Sequence, residues 1–303
     1  MGGVGTARGG GGAVNLRATL LATQLTGRVS ARVSGWFAAR LWFTPWPVEA
    51  GERAHAREAA WLAPTTPVTF TVPGGTVRGY STGVGPRVLL VHGWGDRASR
   101  LGAFVAPLHA AGFAVVAVDL PAHGDSSGRR TSLPDGASAL RAVADQLGGV
   151  DAIVAHSMGA ATAMVAMAQG LDVRAAALLA PAVSLEGAFD TFTQIFALPP
   201  RAVVGLRNEI ERRFGRDVWQ VYAGTTLAPR FDVPALIVHD DDDPQVPVSD
   251  GVALAAVWPG AQLVRTKGLA HHRVIRDDAV IERVRGFLAA TVGTATVGAA
   301  PAR

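Results

Sequence analysis

Downstream of Val68 the apolar residues fall into short continuous runs, Val88–Val91, Ala114–Val118, Ala152–Val154, Ala175–Leu179 and Ala235–Val238. Each has the length of a strand buried on both faces. Helical spacing fills the intervals near Leu101–Ala111, Ala137–Leu147 and Met158–Ala168. This alternation predicts an α/β, doubly wound, mostly parallel sheet. Two earlier runs, Val68–Val72 and Val77–Ser81, flank Pro73-Gly74-Gly75 and predict a hairpin. One interval breaks the rhythm. Leu185–Asp232 has no strand run, but after Pro199-Pro200 it places Val203, Leu206, Ile210 and Phe214 on one helical face. A helical cap over residues 185–232 is therefore expected between core segments 60–184 and 233–290.

The N-terminal part follows a different pattern. Residues 1–12 are glycine-rich and predict a disordered leader, and residues 291–303 a flexible tail. Val14–Phe43 reads as a helix within an N-terminal segment 13–48, with Leu25, Val29, Val33, Trp36 and Phe37 on one face. Gly27, Ala31, Gly35 and Ala38 lie opposite, and Arg28, Arg32 and Arg40 flank the apolar face. Two readings stay open: a helix packed on the globule, or peripheral membrane contact with Trp36, Trp42 and Trp46 as interfacial anchors.

Composition narrows the classes. The 303 residues are 49% hydrophobic and 17% charged, which suits a folded globule. The absence of cysteine excludes disulfides, thiolate metal sites and a cysteine nucleophile. Residues 1–59 hold seven arginines against three glutamates, a difference of +4 that equals the net charge of the whole chain. No basic stripe interleaves with aromatics, so no nucleic-acid partner is expected. No run of about 18 apolar residues occurs. No convincing cleavage site follows the N-terminal apolar stretch, and a cytoplasmic location with optional membrane association is expected.

The chemistry concentrates at the ends of the strand runs. Asp151–Gly159 (DAIVAHSMG) carries a strand straight through Ser157 into a small-residue helix, the context of a nucleophile elbow; a helix N-cap serine is the plainer alternative. Val88–Val91 leads into His92-Gly93-Trp94-Gly95, a turn able to aim the Trp94 N–H at the same spot as the Met158 N–H and form an oxyanion hole. Gly93–Ala98 also matches the dinucleotide fingerprint G-x-G-x-x-A, with Asp119 as ribose ligand, which keeps an NAD(P)-binding Rossmann protein open. That reading leaves the elbow without a role. Ala235–Val238 ends in His239 and four aspartates, Asp240 to Asp243, one of which can orient an imidazole. His271 and His272 follow Leu263–Arg265, and either can serve as base. His92 and His239 read as structural supports, and His123 and His156 as pocket lining. No histidine set has metal spacing, so neither a metal nor a cofactor is expected.

Taken in order, HGWG at His92–Gly95, DLPAHGDSSG at Asp119–Gly128, AHSMG at Ala155–Gly159, DPQVP at Asp243–Pro247 and GLAH at Gly268–His271 resemble the α/β-hydrolase superfamily. The chain is similar to the bacterial serine hydrolases of the monoglyceride-lipase and serine-aminopeptidase-like groups over roughly Val68–Leu288. The resemblance implies a catalytic unit of Ser157, Asp243 and His271; Asp240 is expected to be dispensable. Ala155 and Ala270 stand where the family usually has glycine. The implied activity is hydrolysis of a carboxylic ester through an acyl-serine, with thioesterase, amidase or acyltransferase action as alternatives on the same residues. A catalytically silent binding scaffold is the reading of another class. The large side chains Phe189, Phe192 and Phe196 of the cap, with His156 below, are expected to line an apolar substrate pocket for a small-molecule acyl substrate.

Overall fold

The computed structural model describes residues 15–46 and 51–293. The leader 1–12 and the part of the expected tail beyond residue 293 lie outside the described residues, whereas Thr291 and Val292, assigned to that tail from sequence, end the last helix, Val292 being buried in its core. Strands β1 (Thr66–Val72), β2 (Gly75–Thr82), β3 (Arg87–Val91), β4 (Ala114–Val118), β5 (Ala152–His156), β6 (Ala175–Leu179), β7 (Ala235–Asp240) and β8 (Gln262–Thr266) form one sheet in the order β1-β2-β4-β3-β5-β6-β7-β8. The pairs β1–β2 and β2–β4 are antiparallel; the remaining five are parallel. The doubly wound, mostly parallel sheet expected from the pattern is therefore present. The central strands are buried on both faces, which explains why their sequences are continuous apolar runs rather than alternating ones.

The helices are α1 (Leu16–Thr26), α2 (Ala31–Trp42), α3 (Glu52–Leu62), α4 (Val105–Ala110), α5 (Leu133–Leu147), α6 (Met158–Ala168), α7 (Leu185–Ile195), α8 (Pro200–Phe214), α9 (Val218–Val221), α10 (Gly224–Leu227), α11 (Val248–Val257), α12 (Ala270–Arg273) and α13 (Asp278–Val292). One apolar core lies under α5, α6 and α11, and a second on the opposite face under α4 and α13. β3 is followed by β4 on one side and, after α5, by β5 on the other. The strand order thus switches sides at β3, and a crevice lies beyond the carboxyl ends of β3 and β5.

A third, separate core joins α2 to the helices between β6 and β7, through Ala38, Phe43, Phe189, Leu198, Leu206, Ile210 and Trp219. The expected single N-terminal helix is two helices. The α1 helix ends at Gly27 and α2 begins after Ser30, whose hydroxyl accepts the Val33 N–H. The face that packs is the small-residue one. A Cβ on Gly35 would sit 2.3 Å from the Gly205 carbonyl carbon, and one on Gly205 would sit 1.9 Å from the Ala31 oxygen, so α2 and α8 touch backbone to backbone. Small residues permit that approach, and the larger apolar residues of the other face point outward. Residues 49–59, outside every segment expected from sequence, include most of α3. Its Glu58 is 3% exposed and accepts from the Ser99 hydroxyl at 2.9 Å and from Arg100 at 3.1 Å.

Candidate active site

Ser157 sits between β5 and α6 with φ 55° and ψ −126°, a strained conformation for a residue with a side chain. The backbone is held there by its neighbours. The Ser157 N–H donates to the Leu179 carbonyl at 3.0 Å. A Cβ on Gly159 would fall 2.3 Å from the His92 oxygen, and one on Gly93 would fall 3.1 Å from the Ser157 Cβ. Glycine at both positions lets the turn after β3 close against the elbow. Ala155 is accommodated inside strand β5 within the apolar core, so its methyl group does not disturb the turn.

Two loops meet Ser157. His271 Nε2 lies 3.0 Å from Ser157 Oγ, and His271 Nδ1 lies 2.7 Å from Asp243 Oδ2. The three residues come together although 114 positions separate the serine from the histidine. Asp243 Oδ1 accepts the N–H groups of Gln245 at 2.8 Å and Val246 at 3.0 Å, and His239 Nε2 stands 3.6 Å from Oδ2. Burial pushes the Asp243 carboxyl up, but the His239 ring beside it and hydrogen bonds from His271 and the Val246 N–H outweigh it and hold the group well below the usual carboxylate range.

Asp240 differs from its sequence reading. It is fully buried and accepts the N–H groups of Asp242, Leu269 and Ala270 at 3.1, 2.9 and 2.9 Å, and the Thr266 hydroxyl at 2.8 Å. Burial raises its carboxyl; the Leu269, Thr266, Ala270 and Asp242 hydrogen bonds together bring it below the ordinary value. This one carboxylate ties the loop after β7 to the segment carrying His271. Ala270 has φ 52°, the left-handed backbone that the usual glycine adopts without strain.

The other histidines are arranged around this centre. His92 is fully buried, donates Nδ1–H to the Gly93 oxygen at 2.7 Å and accepts the Leu120 N–H at Nε2, so it ties the β3 turn to the end of β4. Burial lowers its pKa to about 4. His123, whose Nδ1 bonds the Pro121 oxygen, is lowered by burial and then by the charge of His92, to about 3. His156 donates Nε2–H to the His271 carbonyl at 2.9 Å, and burial, then the charge of His271, holds it neutral far below the ordinary range. His272 bonds Gln245, and is lowered to about 4 by burial and the charge of His271.

A cavity of about 750 Å³ opens above Ser157. Trp94, Met158 and His156 line its floor, and Phe192, Ile195 and Phe196 its wall. Phe189 does not line it. That ring is 2% exposed and packs edge-on against Trp219 at 5.2 Å inside the cap core, because its position on α7 faces α9 rather than the crevice. Trp42 and Trp46, offered by the sequence as interfacial anchors, line the cavity wall instead, together with Phe43, which sequence reading did not single out, and the Trp46 and Phe196 rings lie 4.0 Å apart. Their spacing relative to Trp36 was visible, but the direction they face was not. Asp96, at the edge of the cavity, pairs with Arg100 at 2.9 Å, and Arg100 with Glu58 at 3.1 Å.

Asp119 does not face outward as a ribose ligand would. Its oxygens accept the Ala98 and Asp125 N–H groups at 2.7 and 2.8 Å. A 3-10 helix, Ala98–Phe104, follows the glycine turn in place of the long helix a dinucleotide site uses. Among the described residues no group of three or more His, Cys, Asp or Glu side chains is arranged to hold a metal ion.

The fold is shared with proteins of varied activity. An esterase from Rhodococcus sp. ECU1013 superposes with a TM-score of 0.57 at 20% identity, covering 75% of this chain and 99% of that one. A bacterial membrane phospholipase A gives 0.61 at 18% identity, over 79% and 91%. A bromoperoxidase from Bacillus anthracis gives 0.57 at 18%, over 74% and 99%. No curated protein sequence matches the chain. Residues 88–283, which run from β3 through Ser157, Asp243 and His271 into α13, match the model of the alpha/beta hydrolase family, and the chain belongs to that family.

Proposed function

We propose that the protein is a serine hydrolase that cleaves a carboxylic ester of an apolar acyl group through an acyl-serine intermediate. The observation that carries this reading is the continuous hydrogen-bonded line Ser157 Oγ, His271, Asp243 at the floor of an apolar cavity. Ser157 Oγ attacks the ester carbonyl while His271 Nε2 takes its proton. Asp243, held anionic by its hydrogen bonds, fixes the tautomer through Nδ1 and stabilises the imidazolium. The N–H groups of Trp94 and Met158 receive the developing oxyanion. His271 then protonates the leaving alkoxide, and water repeats the sequence on the acyl-serine.

An ester is favoured over an amide because an alkoxide leaves with less acid assistance than an amine, and the apolar wall of Phe192, Ile195 and Phe196 suits a hydrocarbon acyl chain. A fluorophosphonate probe should label the wild type and not Ser157→Ala, and an aryl butyrate should leave an acyl adduct on Ser157 detectable by mass spectrometry. Turnover without such an adduct defeats the reading. A panel of esters, thioesters and amides, each with and without an alcohol acceptor, separates ester hydrolysis from thioesterase, amidase and acyltransferase action.

A further inference from the structure

The α1–α2 pair leaves a face uncovered. Because α2 meets α8 through Ala31, Gly35 and Gly205, the larger apolar side chains of the pair point outward. Leu21 is 59% exposed, Leu25 55%, Val29 79%, Val33 45% and Trp36 50%. These five are nearly half of the eleven large apolar residues exposed among the described residues, gathered within sixteen positions of a 303-residue chain. Isolated exposed apolar residues are ordinary; a concentration of this kind marks a contact surface.

Charge identifies the partner. Between Leu16 and Trp42 there are four arginines, Arg17, Arg28, Arg32 and Arg40, and no aspartate or glutamate. Arg17, Arg28 and Arg32 are exposed, and the Arg40 guanidinium lies 4.8 Å from the centre of the exposed Trp36 ring. Apolar side chains rimmed by arginine, with a tryptophan at the boundary, match an anionic lipid surface: the hydrocarbon parts enter the acyl boundary and the guanidinium groups reach the headgroup phosphates. A second copy of the chain fits poorly, because a two-fold contact through this face would bring the two sets of four arginines together.

The face also adjoins the cavity. The Gln24 side-chain amide donates to the carbonyls of Phe196 and Ala197 at 3.0 and 2.9 Å, which anchors α1 to the end of α7. Ile195, 71% exposed, and Phe196 are there, and both line the cavity above Ser157. We propose that α1, α2 and their connection dock the protein on an anionic lipid surface, and that this seating places the Ile195–Phe196 side of the cavity against the lipid, so that an acyl chain enters from the membrane. Docking itself does not rest on the hydrolase reading; the entry of an acyl substrate does.

The test is sedimentation of the full chain with vesicles of phosphatidylcholine alone or of phosphatidylcholine with phosphatidylglycerol. Binding to the anionic vesicles should be at least about tenfold stronger and should weaken in high salt. The double variant Leu25→Ser/Val29→Ser should lose about tenfold of that binding while turning over a soluble short-chain ester normally, and Arg28→Gln/Arg32→Gln should lose the preference for anionic lipid. Ser157→Ala should bind vesicles like the wild type, which separates docking from chemistry. Since the chain has no cysteine, Val29→Cys carries a single environment-sensitive dye, and its emission should shift to the blue on adding anionic vesicles, a readout that survives if the double variant misfolds. Absence of binding with no dye shift overturns the proposal. So does a dimer in solution that Leu25→Ser/Val29→Ser dissociates, which assigns the face to a second copy. If docking holds and Ser157→Ala still hydrolyses ester, the hydrolase reading fails alone.

Discussion

The sheet and the cap hold their side chains in different ways. At the sheet, the candidate catalytic groups hang from the carboxyl ends of β5, β7 and β8. Their backbones are fixed by paired strands, by the close approach of Gly93 and Gly159, and by the Asp240 carboxylate. At the cap, α7 and α8 are held by one small apolar core shared with α2 and by a glycine-to-glycine crossing. The first region places atoms to within hydrogen-bond distance; the second encloses volume. Rate should therefore depend on the sheet region and substrate length on the cap, and substitutions can separate the two.

The largest effect belongs to the sheet. Ser157→Ala or His271→Ala should lower kcat by about 10⁴- to 10⁶-fold, with the double variant little worse than either alone. Steady-state kinetics on an aryl ester check this, and near-normal turnover in His271→Ala would move the base to His272. The next effect belongs to the cap. Phe189→Ala should lower unfolding free energy by about 3 to 5 kcal/mol in urea titrations, since the ring fills a core and not the cavity. A small stability change with altered chain-length preference would return Phe189 to the pocket.

Acid should attack the sheet region first. His92 is buried neutral with a pKa near 4, whereas an unfolded imidazole titrates near the ordinary 6.5. Between those values only the unfolded chain takes up the proton, so stability is full above about pH 6.5 and falls toward pH 4, by about 3 kcal/mol from His92 alone. His123 adds to the same loss and extends it toward pH 3. Asp243, held low, loses its contribution only at more acid pH, below the ordinary carboxylate range. Thermal melts at half-unit steps check this; a melting temperature flat from pH 7 to 4 would contradict it.

Asp240→Asn should reduce stability by about 1 to 3 kcal/mol, because the amide cannot accept all four donors. It should also slow fluorophosphonate labelling of Ser157 without abolishing it, as expected of a positioning residue. The smallest effect is Phe196→Ala. It should change the ratio of kcat/KM between long and short acyl esters by about tenfold while leaving the shortest ester nearly unaffected. An unchanged ratio would mean that Phe196 only supports Trp46.

The legible residues are those whose position follows from local rules. Ser157 is marked by a strand entering a helix without a loop, Gly159 by the turn that needs it, Asp243 by its place after the buried strand β7, and His271 by its place after β8. The residues read wrongly depended on direction rather than position. Phe189 and Phe196 are both large and apolar on one short stretch, yet one turns into the cap core and the other to the cavity. Asp240 reads in sequence as one of four adjacent carboxylates, and only the Leu269 and Ala270 N–H groups, about thirty residues away, set it apart.

By itself the chain determines the alternation of buried strands and helices, since a strand covered on both faces has to be apolar throughout and a helix beside it only on a stripe. It also determines the sharp turn at Ser157, because small residues must flank it. Tertiary structure alone decides which face of α1 and α2 is buried. A hydrophobic stripe gains by burial against any apolar surface, but a glycine face gains only where a second backbone offers the same absence of side chains, and Gly205 supplies that from 170 residues downstream. The same choice leaves Leu25, Val29 and Trp36 in solvent and carries Trp42 and Trp46 into the cavity wall.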